Sequence, residues 1–253
     1  MQKKTAAIVV NISSMKAACK DCSLRELCLP LGLAEPDLAS LDKMVKRRRV
    51  LKKGEMLYRF GDPLHSLFAI RNGALKTTGL IEDGRAQITG FYLPGELLGI
   101  DAINTDHHPC SAEALETSEV CEIPYHSLED LAQQIPGLQH QLLRIMSREI
   151  VRDEEMLMML GRMSAEERLA SCLMSFSRRF ARLGNPAVEF KLTMSRQDLG
   201  DYLGLALETV SRLLSRFQDD GLINVHGRQI VLRDVDRLRS MAAGNGRDHS
   251  ERA

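Results

Sequence analysis

Between Pro136 and Gly161 the chain carries one unbroken helical pattern, and that stretch decides how everything around it can be arranged. Pro136 suits a first helical turn and Gly161 a helix end. Leu143, Met146, Ile150, Asp153, Leu157 and Leu160 follow one another at steps of three, four, three, four and three. The repeat averages about 3.5 residues, which is the signature of a helix that pairs with another along a seam. The spacing predicts a dimerisation helix over 136–162, with Met146, Ile150, Asp153, Leu157 and Leu160 in the interface. The competing arrangement lays the same stripe on the chain's own N-terminal part. Asp153 is the exception in the stripe. Across a two-fold axis it faces its own copy, and two desolvated carboxylates repel and raise each other's pKa. Asp153 is therefore expected to hold the protein monomeric until a signal closes the seam.

On the N-terminal side, from Val50 to Pro124, short apolar runs alternate with turn residues: Gly54, Gly61-Asp62, Asn72-Gly73, Asp83-Gly84 and Pro94-Gly95. This spacing predicts a small antiparallel roll. Asn72-Gly73, between Leu67–Ile70 and Ala74–Thr77, reads as a hairpin turn. Residues 34–45 read as a short helix with Pro36 in its first turn and Leu38, Leu41 and Val45 on one face. With no Trp and 4% aromatic residues, core filling falls to Leu, Ile, Val and the 12 Met. The whole is expected to be an α+β chain. Its parts are a flexible N-terminus and cysteine loop (1–28), a β-roll (29–135), the long helix (136–162) and a C-terminal winged helix-turn-helix (163–253).

The C-terminal part carries the nucleic-acid signal. Ala165–Leu183 reads as a helix broken by Gly184-Asn185-Pro186. Ser195 is a good N-cap for a helix to Tyr202, with Leu199 and Leu203 inward. Gly204 stands where a tight turn needs positive φ. Val210 and Leu213 bury the second helix, which then offers Glu208, Ser211, Arg212 and Arg216 to a partner. Arg can bond guanine bidentately, Glu can accept from cytosine, and Ser can do either. A hairpin over Ile223–Leu232, turning at Gly227-Arg228, forms the wing. Residues 165–253 hold 14 Lys/Arg against 12 Asp/Glu and the whole chain has zero net charge, so phosphate contacts must come from clustered residues such as Arg196, Arg216 and Arg228. An ordinary helical hairpin with a solvated face is the alternative.

Cys19, Cys22 and Cys28 lie within ten residues in a C-x2-C-x5-C run, close enough to serve one metal centre. The apolar run Ala6–Val10 is too short for a signal core or a membrane span, so the expected location is the cytoplasm. There thiols stay reduced, and six cysteines read as metal-binding, catalytic or buried rather than as disulfides. A closed site of four thiolates needs one more. Cys172, in an apolar helical run, reads as a buried small hydrophobe. Cys110, in a loop after His107-His108-Pro109, and Cys121, in a strand, are not separable on these grounds. Nor are zinc and an iron–sulfur centre. His107 and His108 read as solvated loop histidines.

Taken together, several motifs resemble the CRP/FNR family of bacterial regulators, and within it the oxygen-sensing FNR/Anr branch. They are the cysteine run, Gln87-Ile88-Thr89-Gly90-Phe91, Ala114-Leu115-Glu116-Thr117, Val120-Cys121-Glu122-Ile123-Pro124, Ala165-Glu166-Glu167-Arg168-Leu169 and Glu208-Thr209-Val210-Ser211-Arg212. The likeness spans nearly the whole chain from Cys19 to Leu232. It implies a cyclic-nucleotide-binding-like roll and a [4Fe-4S] cluster on Cys19, Cys22, Cys28 and Cys121. It also implies a homodimer through the helix bearing Ile150 and Asp153, and Glu208, Ser211 and Arg212 reading TTGAT-type half-sites in double-stranded DNA. Oxygen in that branch converts the cluster to [2Fe-2S], the dimer parts and DNA is released. The loop Glu82–Arg85 matches the branch's RNA-polymerase-contacting loop, with Gly84 and Arg85 as the contact residues, although Arg85 is basic where an acid is expected. Cys110 departs from the branch as an extra thiol open to oxidation.

Two rivals remain at this stage. One is a zinc-stabilised regulator indifferent to oxygen. The other is a cyclic-nucleotide receptor, for which Gly95-Glu96 resembles the start of a phosphate cassette. The Arg-Ser pair that would neutralise the phosphate is missing, with His107–Ser111 in its place. No nucleophile–base constellation or phosphate-binding glycine loop points to an enzyme.

Overall fold

The structure, a computed structural model, describes residues 19–45, 47–80 and 86–244. Residues 1–18, expected to be flexible, the tail beyond Gly244 and the loop with Gly84 and Arg85 lie outside the described residues. The cysteine run opens on a short 3-10 turn, Cys19–Asp21, and leads to helix α1, Glu35–Met44. Pro36 sits in the first turn of α1, and Leu38 and Leu41 are its buried face.

Eight strands follow: β1 Arg47–Leu51, β2 Met56–Tyr58, β3 Ser66–Asn72, β4 Leu75–Leu80, β5 Ala86–Tyr92, β6 Leu97–Leu98, β7 Ser111–Ala114 and β8 Ser118–Pro124. They form two four-stranded sheets, ordered β1-β8-β3-β6 and β2-β7-β4-β5. Every pairing within them is antiparallel. The roll is the expected one, but Asn72-Gly73 does not close a hairpin. It joins β3 in one sheet to β4 in the other. Gly73 has φ +83°, and a Cβ there would meet Ser118 Oγ at 2.3 Å. The residue is thus glycine for both conformation and space. The real partner of β3 is β8, with Ala69 opposite Cys121.

A helix absent from the sequence reading, α2 (Tyr125–Gln134), leaves the last strand. Helix α3, Pro136–Arg162, follows it directly. The C-terminal part comprises α4 (Ala165–Arg182), β9 (Glu189–Lys191), α5 (Arg196–Leu203), α6 (Leu207–Asp219), β10 (Ile223–His226), β11 (Gln229–Leu232) and α7 (Val235–Ala242). The wing hairpin has a third strand, since β9 pairs with β11. Helix α7 packs on α4.

Burial explains how the parts meet. One core joins Leu29 and Leu33 after the cysteine run to Leu38 of α1, Ile123 of β8, Leu128 of α2 and Leu138 of α3. Another joins the outer face of the roll, through Ile88 and Phe91, to Phe176 of α4 and Leu199 of α5. Phe91 lies 5.0 Å from the Tyr202 ring and 6.0 Å from that of Phe176.

Candidate metal centre and nucleic-acid interface

Cys19, Cys22 and Cys28 are set by a chain of tight turns. Cys22 N–H donates to Cys19 O at 3.3 Å, and Cys28 N–H to Leu24 O at 3.1 Å. Cys19 N–H is held by the Asp42 carboxylate of α1. Strand β8 brings Cys121 to the same place. All four cysteines line one small hollow, whose wall includes Leu24, Leu29, Leu41 and Ile123. Cys110 and Cys172 are elsewhere. Cys110 is buried in the roll with its Sγ 3.2 Å from Asp101 Oδ2, and Cys172 is buried in α4. Cys110 is therefore not the open thiol expected from its loop. His108 is likewise buried, stacked on Tyr58 at 3.7 Å rather than solvated.

Burial around Cys19, Cys28 and Cys121 favours the protonated form until something replaces the proton. Burial pushes Cys28 up to about 12, and Cys19 and Cys121 also upward. Arg71 and Arg48 oppose the shift at Cys121. A soft metal centre that binds thiolates would displace those protons and gain the bonds in exchange. Among the described residues, no group of three or more His, Cys, Asp or Glu is arranged to hold a single metal ion. Four soft donors around one apolar hollow are a donor set that suits a thiolate-ligated centre, and both zinc and an iron–sulfur cluster accept it.

The seam residues face outward. Leu157 is 72% exposed and Ile150 58%, with Leu143, Met146 and Asp153 exposed as well. Leu160 alone of the stripe is partly covered, against the C-terminal core. The stripe does not lie on the roll. The opposite face of α3 does, through Leu138, Gln141 and Ile145. Burial raises the Asp153 carboxyl, Arg152 opposes the rise and Asp101 adds to it.

The DNA-reading pair is built as its sequence predicts. Ser195 caps α5 in a reciprocal box with Asp198. Gly204 turns with φ +65°. Val210, Leu213, Leu214 and Phe217 bury α6, leaving Glu208, Arg212 and Arg216 exposed and Ser211 half-buried. Arg196 is exposed at the start of α5. Arg216 pairs with Glu166 and lies 3.9 Å from Asp220. Arg228, at the tip of the wing, donates to Thr193 O at 3.2 Å.

Sequence reasoning missed Gly200, where a Cβ would sit 2.6 Å from Leu205 O. It also missed how the C-terminal part is held. Lys76 of β4 meets Asp198 of α5 at 2.8 Å, and Gln87 of β5 donates to Asp201 O. Arg168 of α4 donates to Leu160 O, Met163 O and Leu203 O, tying the end of α3 to the end of α5. Glu96, the acid of the cassette-like Gly95-Glu96, is half-buried. Its carboxylate accepts from Arg152 at 3.0 Å, from Arg179 at 2.9 and 2.6 Å, and from Leu93 N–H at 2.9 Å. A carboxylate has about four acceptor positions, so none is left for a ribose. Glu149 shares Arg152 at 3.1 Å, and burial pushes its carboxyl up to about 6.

A two-sheet roll, a long helix with an open apolar stripe and a winged helix-turn-helix define a DNA-binding regulator of transcription. The chain belongs to the CRP/FNR family. It matches the cyclic nucleotide-binding domain over residues 48–135 and the Crp-like helix-turn-helix domain over 167–241. It is 51% identical to the transcriptional activator protein Anr of Pseudomonas aeruginosa, over 90% of this chain and 94% of that one. It is 48% identical to the fumarate and nitrate reduction regulatory protein of Escherichia coli, over 88% and 90%. The structure of FixK2 from Bradyrhizobium japonicum matches with a TM-score of 0.71 at 35% identity, over 77% of this chain and 96% of that one. Family members bind DNA through this helix-turn-helix and are dimeric. No helix among the described residues is long and apolar enough to cross a membrane.

Proposed function

We propose that this chain is an oxygen-responsive transcription regulator of the cytoplasm. Its DNA-binding form carries a [4Fe-4S] cluster on Cys19, Cys22, Cys28 and Cys121. It pairs through Met146, Ile150, Asp153, Leu157 and Leu160 of α3. It reads TTGAT-type inverted repeats with Glu208, Ser211 and Arg212, while Arg196 and Arg216 contact phosphates. The observation that carries this reading is the convergence of the three loop cysteines and Cys121 on one apolar hollow.

When bound, the cluster supplies iron–thiolate bonds that oxygen can destroy. The chain's own residues do the rest. The segment 19–33 is fixed against β8 and against the inward face of α3. That fixes the phase of α3, so its outward stripe meets the partner's. The apolar seam then outweighs the repulsion between the two Asp153 carboxylates. Two recognition helices come to lie one DNA turn apart. The division of labour is a roll sensor over 29–135, a dimer helix over 136–162 and a DNA reader over 163–253. The loop bearing Gly84 and Arg85 contacts RNA polymerase.

The test compares Cys121→Ala with Cys110→Ala after anaerobic purification. Cys121→Ala is expected to lack iron, sediment as a monomer and fail to bind an operator. Cys110→Ala is expected to match the parent in all three. Tight, specific operator binding by Cys121→Ala contradicts the proposal.

A further inference from the structure

We infer that Gln141 is the positioning residue that couples the order of the cysteine loop to the dimer seam. The inference rests on the reading above, in which the loop carries the signal and α3 forms the dimer. Gln141 is 2% exposed, a polar side chain placed in an apolar core with Leu29, Leu138 and Ile145. Its Nε2 donates to Cys28 O at 3.1 Å. A direct hydrogen bond therefore runs from the dimer helix to the backbone of a loop cysteine.

The neighbourhood makes this contact decisive for the helix as a whole. One turn earlier, Gly137 presses on Leu33, whose Cδ2 would lie 3.3 Å from an added Cβ. Two turns later, on the same face, Arg148 holds its charge near Cys28. At 3.6 residues per turn, Leu143, Met146, Ile150, Asp153 and Leu157 lie about 120–200° round the helix from Gln141. The residue that touches the loop and the residues that form the seam are thus on opposite sides of one rigid rod.

A buried amide donor must keep an acceptor or move to water. With the loop ordered, Cys28 O is that acceptor, and Gln141 stays inward with the seam outward. If the loop loses its order, the acceptor leaves. Rolling α3 to bring Gln141 to water rotates the seam out of register with its partner. An apolar residue at 141 has no such requirement, so the helix would hold one phase whatever the loop does. Coupling between the two sites is then lost without loss of either site.

The experiment measures the dimer dissociation constant by sedimentation, anaerobically and after air exposure, in the parent, Gln141→Met and Gln139→Met. Gln139 is an exposed amide on the same helix and controls for amide loss. Iron, sulfide and visible absorption are recorded for each. The parent is expected to weaken about tenfold or more on air exposure, in the range of ordinary allosteric coupling. Gln141→Met is expected to hold parental iron and sulfide yet differ by less than about threefold between the two states. Gln139→Met should behave as the parent. A parental ratio in Gln141→Met overturns the inference, and so does loss of iron together with dimerisation, which marks a merely structural role. If Gln141→Met precipitates, Gln141→Leu carries the same test, because its side chain has no donor and the same collapse of the ratio is expected. A parent whose dimerisation ignores air overturns the oxygen reading itself, an outcome that does not depend on any variant.

Discussion

Glu96 and Arg179 are 83 residues apart in sequence and meet at 2.6 Å, joining the β5–β6 turn of the roll to the first helix of the DNA-reading part. Arg152 of α3 reaches the same carboxylate at 3.0 Å. Arg179 also donates to Phe91 O at 2.5 Å. One half-buried acid therefore holds the roll, α3 and α4 together. The turn that carries it touches the cysteine run as well, since Leu27 Cβ lies 2.8 Å from where a Cβ on Gly95 would stand.

Glu96→Gln removes the charge, leaving the half-buried Arg179 without a carboxylate partner and Arg152 with Glu149 alone. Breaking a pair of this kind costs about 3–5 kcal/mol. Denaturant unfolding at pH 7 should show a loss of that order. The pH dependence follows from the same contact. Burial pushes the Glu96 carboxyl up, but Arg179 and Arg152 outweigh it and hold it below its ordinary value. A depressed carboxyl contributes stability that is present above its unfolded pKa and lost as pH falls through the folded one. The parent should lose this contribution below the usual carboxylate range, and Glu96→Gln should show a flatter acid limb. Equal acid limbs in the two proteins would count against the contact.

Asp153→Ala removes the one carboxylate from an exposed apolar stripe. Burial already raises this carboxyl in the single chain, before any partner approaches. In cluster-free protein the substitution should strengthen dimerisation about tenfold, equivalent to one pKa unit of relieved repulsion. Sedimentation without iron reads the change directly. A variant that stays fully monomeric at concentrations where tenfold tightening must show removes Asp153 from the seam.

Much of this arrangement is legible in the sequence, and the parts that are not have physical reasons. Local periodicity announces itself: the outward stripe of α3, the Ser195 cap and the Gly204 turn each depend on residues within a few positions of one another. Strand pairing does not. Asn72-Gly73 has the residues of a hairpin turn, but β3 pairs with β8, and the turn only carries the chain from one sheet to the other. The choice between Cys121 and Cys110 was open for the same reason. Register decides which cysteine the roll turns toward the loop, setting Cys121 between Arg48 on β1 and Ala69 on β3. Helix α2 was visible in principle, since Leu128, Ala132 and Ile135 recur at helical spacing between Pro124 and Pro136. Glu96 could not be assigned from its own surroundings, because its partners come from α3 and α4.

Gly200→Ala tests the close approach inside the DNA reader. A methyl group would lie 2.6 Å from Leu205 O, so the turn between α5 and α6 must open. Overpacking at a backbone contact costs about 1–3 kcal/mol. The recognition helix would shift relative to α5, and operator affinity should fall while sedimentation still reports the same dimer. Undiminished operator binding would show that the spacing of the two helices tolerates the change.

If a [4Fe-4S] cluster on Cys19, Cys22, Cys28 and Cys121 controls dimerisation, then iron content, colour and association state change together in air. The protein is purified without oxygen, its iron, sulfide and zinc are counted, and its visible spectrum and sedimentation are recorded before and after a pulse of air. About four irons and four sulfides per chain are expected, with a broad visible absorption that bleaches in air and a dimer that becomes a monomer as it bleaches. A colourless protein with one zinc per chain and a sedimentation profile indifferent to air would contradict this expectation.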